Sequence, residues 1–226
     1  MRILGLDTAT SRASVGLRID GQLIREQSRT ADGNHAVSLL SLIDEVLQAG
    51  RCTARDLDAV AVSGGPGSFT GLRIGLSVAK GLTYATGAHL VAVPTLEALA
   101  RTVAHLEGNL CPLLDARKGE LYAACFRAAA SGLQRLTADL LVTPEALLQI
   151  LPPPCVILGD AVAPYGAFLR QHLGTRVTLL PSDAHGPSGG VIAAMGEERL
   201  QAGAPDHLPD LEPCYIRRSE AELKWS

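Results

Sequence analysis

The chain has 226 residues, 47% hydrophobic and 19% charged. This balance fits one large domain or two lobes with real cores and excludes a disordered chain. A formal net charge of −3 gives no bulk attraction to nucleic acid or anionic lipid, so an RNA contact needs a local patch or a partner. Five cysteines, Cys52, Cys111, Cys125, Cys155 and Cys214, make no C-x-x-C pair, which argues against a disulfide framework and a zinc ribbon.

The opening "MRILGLDTAT" meets an aspartate after six residues and does not read as a signal peptide. No apolar run approaches the length of a membrane span, so a cytoplasmic protein without membrane contact is expected. "RILGLD" and "ASVGLRI" read as strands, and Asp20-Gly21 before "QLIREQS" is a hairpin signal. From His35 to Ala49 apolar residues recur at helix spacing, and Gly50 stops the pattern. Thr53-Ala-Arg-Asp56 has the form of a capping box. "DAVAVS" is a buried strand, followed by "GGPGSFTGLRIG" and a helix from about Gly71 to Ala85. "HLVAVP" is a strand, and Thr95 opens a helix through about His105.

The second half starts likewise. "LCPLLDAR", "ELYAACFRA" and "LQRLTADLLV" read as strands, and Thr143-Pro144-Glu145 starts a helix with proline in its first turn. "CVILGD" and "RVTLLP" are strands; "VAPYGAFLRQHL" and "SGGVIAAMGEERLQAG" are helices. Both halves thus read as three strands, helix, strand, helix. That predicts an α/β fold of two duplicated lobes, residues 1–108 and 109–226, with a cleft between them and the last helix and tail packing back on the first lobe. A single Rossmann-like domain fits the opening hairpins poorly.

The stretch from Ser63 to Gly75 holds five glycines. It lacks the lysine of a Walker loop, the sixth-position glycine of the dinucleotide fingerprint and the glycine two before the serine of a nucleophile elbow. A tight strand-to-helix turn capped by Ser68 or Thr70 outweighs an anion cradle on free N–H groups. Gly71, Gly75 and Ala79 sit four apart on one helical face. That face packs within its own lobe or docks a partner, together with the broad apolar face of His35–Ala49, which adds Val37 and Leu42. Asp7 and Thr8 at a strand end suit either a metal–phosphate unit or a locally bonded turn; Asp115 and the pair Gly159-Asp160 end strands in similar style. No two of the six histidines lie at ligand spacing, so a zinc protease has no support. Arg217 and Arg218 read as a solvated face or a phosphate contact.

Four segments, "MRILGLDTATSRASVGL", "SGGPGSFTGLRIGLSVAKGL", "DARKGELY" and "PCYIRRSEAELKW", together resemble the bacterial TsaB family, also called YeaZ, from one end of the chain to the other. The resemblance implies the two-lobed fold of actin, hexokinase and Hsp70-type ATPases. It implies a part in making N6-threonylcarbamoyladenosine at position 37 of tRNAs that read codons beginning with A. In that family catalysis belongs to the paralogue TsaD, which carries a metal-binding histidine pair. TsaB pairs with TsaD or with itself through the first two helices, and the ATPase TsaE joins them. Here those helices offer His35, Leu39, Leu42, Ile43, Val46, Gly71, Arg73, Ile74, Gly75, Val78, Ala79 and Leu82 as the interface. The implied function is a non-catalytic scaffold reaching tRNA through the complex. The alternative is an independent ATP-handling enzyme that uses Asp7, Thr8, Asp115, Gly159 and Asp160. No cofactor is assigned; ATP or ADP at the interface of the complex is the candidate. The older glycoprotease label finds no matching chemistry in the sequence.

Overall fold

A computed structural model describes residues 1–30, 35–181, 186–203 and 211–217. The chain separates into two compact units, Met1–Ala98 with Pro187–Cys214, and Leu99–Gly186 with Tyr215–Ser226.

In the first unit, β1 (Arg2–Asp7), β2 (Arg12–Ile19) and β3 (Gln22–Thr30) form an antiparallel meander, and the Asp20-Gly21 hairpin lies where the dipeptide predicts it. β4 (Ala59–Ser63) and β5 (His89–Val93) join in parallel, giving the order β3-β2-β1-β4-β5. Alternation divides the sheet's two faces. Leu4, Leu6, Val60 and Val62 face α1 (His35–Ala49) and α2 (Phe69–Thr86). Ile3, Ala59 and Ala61 face α6 (Gly189–Gln201). On that second face Gly5 and Ala61 are small where helix and sheet backbones nearly touch. A Cβ on Gly5 would lie 2.5 Å from the Ala193 nitrogen, and one on Gly196 2.5 Å from the Ala61 Cβ. Buried Ser14 ties the start of α6 down: its hydroxyl accepts from Gly189 N and donates to Glu26, each at 3.0 Å. The predicted capping box is present at a 3-10 turn, Ala54–Asp56. α3 (Thr95–Arg101) starts at Thr95 but stops short of His105.

The second unit holds β6 (Gly108–Arg117), β7 (Glu120–Ala123), β8 (Phe126–Ala129), β9 (Gly132–Arg135), β10 (Leu140–Val142), β11 (Cys155–Leu158) and β12 (Val177–Leu179). The order β10-β7-β6-β11-β12 repeats the logic of the first sheet, with a β8–β9 hairpin added beside β6. α4 (Pro144–Ile150) and α5 (Val162–Leu173) cover one core through Leu147, Leu169 and Leu173. Thr143 caps α4, accepting from Ala146 N at 3.3 Å, with Pro144 just inside. The run "ELYAACFRA" is two strands rather than one. At Cys125 the backbone leaves β6 and pairs with the returning chain, its carbonyl accepting from Leu136 N at 2.8 Å.

Candidate functional site

The glycine stretch forms a turn whose amides are largely spent on the protein itself. Gly64 N donates to the Val93 carbonyl at 2.8 Å and Ser68 N to the Ala9 carbonyl at 2.7 Å. Gly65 N donates to Thr95 Oγ1 and Gly71 N to the capping Ser68 hydroxyl, both at 3.2 Å. A Cβ on Gly65 would stand 2.6 Å from the Cys214 carbonyl, and one on Gly67 2.6 Å from the Ala9 carbonyl. The glycines therefore admit two neighbouring backbones, the Asp7–Thr10 turn and the 211–214 segment, and the amides named here have no capacity left for an anion.

The small face of α2 points inward. Gly71, Gly75 and Ala79 are buried, and the Thr8 hydroxyl donates to the Gly71 carbonyl at 2.7 Å. A side chain at Gly71 would run into the Thr8 carbonyl, and one at Gly75 into the Thr8 hydroxyl. These three residues are removed from the expected partner face: four-residue spacing shows a narrow face but not which surface fills it. Leu39, Leu42, Ile43 and Val46 are likewise buried in the unit's own core and do not present to a partner. The side chains of His35 and Val37 lie outside the described residues, as does Arg218. Of the remaining expected residues, Arg73 is exposed, and Ile74, Val78 and Leu82 are half-buried against the core. The outward side of α2 also holds residues that sequence reasoning missed. Phe69 lies under the Arg73 guanidinium at 3.9 Å, and Tyr84 is 91% exposed. Leu40 on α1 is 54% exposed. The signal was available: 69, 73, 77 and 84 fall on one helical side.

The strand-end aspartates form two separate groups, one within each unit. Asp7 and Thr8 are 0% and 1% exposed, and Asp7 accepts from Ala9 N at 3.0 Å as in an ordinary Asx turn. In the second unit Asp115, Gly159 and Asp160 do come together. Asp115 N donates to Asp160 Oδ1 at 2.9 Å, and the Asp115 carboxylate takes the Arg117 amide at 2.8 Å and its guanidinium at 3.1 Å. Gly159 holds a φ of 109°, and a side chain there would also strike the Leu113 carbonyl. Burial pushes the Asp160 carboxyl above its ordinary value, against the opposing pull of the Asp115 amide. The loop beyond β6 is left-handed at Arg117, Lys118 and Gly119; Arg217 braces it through the Ala116 carbonyl at 2.5 Å and an ion pair with Glu120. Among the described residues no group of three or more His, Cys, Asp or Glu is placed to hold a metal, and no helix is long and apolar enough to cross a membrane.

A family model described as TsaD, tRNA N6-adenosine threonylcarbamoyltransferase, matches residues 27–225. The tRNA threonylcarbamoyladenosine biosynthesis protein TsaB of Bacillus subtilis is 29% identical over all of this chain and 98% of its own length. The chain belongs to the TsaB (YeaZ) family. Solved structures agree in fold with this TsaB-family assignment. A Pseudomonas aeruginosa protein described as similar to the peptidase YeaZ superposes with a TM-score of 0.82 at 23% identity, over 96% of this chain and 99% of that one. The activator of 2-hydroxyisocaproyl-CoA dehydratase from Clostridium difficile, solved with ADPNP, superposes at 0.53 with 11% identity over 90% and 97%. With the repeated sheet order, these place this TsaB-family chain in the duplicated α/β architecture of actin, hexokinase and Hsp70-type ATPases.

Proposed function

We propose that this chain takes part in forming N6-threonylcarbamoyladenosine at position 37 of tRNA as a non-catalytic subunit, in the cytoplasm, activating TsaD together with TsaE. The observation that carries the reading is the whole-chain likeness to a TsaB relative named for this biosynthesis. Two features support a supporting rather than a chemical role. The histidines fall nowhere at ligand spacing in the sequence, and the Gly64, Gly65, Ser68 and Gly71 amides of the glycine turn are spent on their own lobe. The partner face we assign is the outward side of α2, Phe69, Arg73 and Tyr84, flanked by Ile74, Val78 and Leu82 and by Leu40 of α1. Exposed aromatic and arginine side chains on one rigid helix are the usual anchors of such contacts.

The test is reconstitution. Purified chain, TsaD, TsaE, threonylcarbamoyl-adenylate and tRNA are mixed, and modified adenosine is counted with each component left out in turn. Omitting this chain is expected to lower modification at least about ten-fold, a change worth roughly 1.4 kcal/mol, while the chain alone modifies nothing. Modification that proceeds undiminished without the chain, or by the chain alone, overturns the proposal.

A further inference from the structure

The cysteines play no part in the reading above, yet two of them meet. The β6–β8 ladder pairs Leu110 with Phe126, and the β6–β7 ladder pairs Leu113 with Ala123. The shared register sets Cys111 directly opposite Cys125. Cys125 directs its backbone elsewhere, its N–H donating to Thr137 Oγ1 at 2.9 Å and its carbonyl accepting from Leu136 N at 2.8 Å. The two cysteines thus face each other without ladder bonds between them, the arrangement in which opposed side chains stand closest. Their sulfurs are 3.7 Å apart, and both residues are buried among Leu113, Leu121 and Ile157.

We propose that Cys111 and Cys125 form a redox-sensitive staple between β6 and the β7–β8 chain, closed by a peroxide and reopened by a thiol reductant. The Cys125 thiolate attacks one peroxide oxygen, the O–O bond breaks, and a sulfenic acid and hydroxide result; the hydroxide takes up the proton that the Cys125 thiol released and becomes the first water. The Cys111 sulfur then attacks the sulfenic sulfur; the S–O bond breaks, and the Cys111 proton leaves with the hydroxyl as water. In sum two thiols lose two electrons and one peroxide becomes two waters. The order follows from the hydrogen bond between the sulfurs, which holds the Cys125 thiol down and, with burial, the Cys111 thiol well up. Cys155 shares the core, but burial pushes its thiol to about 11, so it stays out of the exchange.

The native full chain is treated with hydrogen peroxide, quenched with N-ethylmaleimide, digested and mapped by mass spectrometry. A peptide pair linked through Cys111 and Cys125 is expected. The thiol count after unfolding then falls by two from the chain's five cysteines and recovers with dithiothreitol. The oxidised chain is expected to melt higher than the reduced one, because the bond restrains residues 14 apart in the unfolded chain. Cys125→Ser abolishes the link and Cys155→Ser preserves it. The proposal is overturned if peroxide yields sulfinic acid at either position without a link, if the link forms only in urea, if Cys155 takes either partner's place, or if the linked chain melts lower.

Discussion

The two units carry matching aspartates near the ends of their central strands, Asp7 as the last residue of β1 and Asp115 just before the end of β6 at Arg117, and close the turns beside them by different means. In the first unit a helix packed close does it, beyond the local Asp7–Ala9 bond: α2 lays Gly71 and Gly75 against Thr8, and Ser68 N reaches the Ala9 carbonyl. In the second a carboxylate does it, Asp160 reaching across to the Asp115 amide. Closure by a packed helix yields a sealed turn that tolerates no side chain. Closure by a carboxylate leaves a half-buried group that titrates. The same strand order therefore gives one lobe a sterically fixed apex and the other a chemically adjustable one.

Four measurements probe this contrast, beginning with the largest effect. Gly71→Val would drive a side chain into the Thr8 carbonyl, which is backbone and cannot yield. A loss of about 3 kcal/mol or more is expected, seen as a melting point lower by roughly 6–12 °C; an unchanged melt would show that the turn is not sealed by contact. Gly75→Ala meets the Thr8 hydroxyl instead, a side chain that can be removed. It should cost about 1–3 kcal/mol, partly offset by a helix-propensity gain of about 1 kcal/mol. Thr8→Ala in the same chain should return most of the loss, and strict additivity in that double-mutant cycle would refute the contact.

The third measurement turns to the adjustable apex. A carboxyl held above its ordinary value binds its proton more readily in the folded chain than in the unfolded one. Asp160 thus contributes a stability that declines as pH rises from the ordinary carboxylate range through its raised value. Asp160→Asn should keep the bond from the Asp115 amide and flatten that part of the pH–stability curve. A slope that survives the substitution would assign it to another group. The smallest effect on folding belongs to Tyr84→Ala, within about 0.5 kcal/mol, because the side chain is exposed. If the outward side of α2 is the partner face, the same variant weakens TsaD binding at an unchanged melting point.

Local chemistry made much of the fold legible. Asp20-Gly21 marks its hairpin, Thr53 and Asp56 their capping box, and Thr143-Pro144 the start of α4. The repeated element order revealed the duplication because each strand and helix carries its own periodicity. What escaped depends on distant partners. The spacing of Gly71, Gly75 and Ala79 shows that something comes close. Only the fold shows that it is Thr8, 63 residues before Gly71, rather than another molecule. "ELYAACFRA" reads as one strand, and its register against β6 is unbroken from Leu121 to Ala128; the interruption at Cys125 is made by Leu136 and Thr137, which no pattern within the run announces. Asp7 and Asp115 look alike in sequence because their difference lies in what packs over them.

The path of the chain has a consequence for the order in which the protein is made. The first unit is left at Ala98 and re-entered only at Pro187, so the 88 residues of the intervening stretch are translated before α6 exists. At about 5–20 residues per second that is an interval of roughly 4–18 s. Throughout it, Ile3, Ala59, Ala61, Val91 and Val93 lack α6, which supplies Ile192, Ala193 and Met195 to their cluster. The earliest strands to leave the ribosome are thus among the last to be covered. Gly5, Ala59 and Ala61 at the middle of that face expose little area for a wrong partner to hold, which leaves Ile3, Val91 and Val93 as the apolar surface that waits.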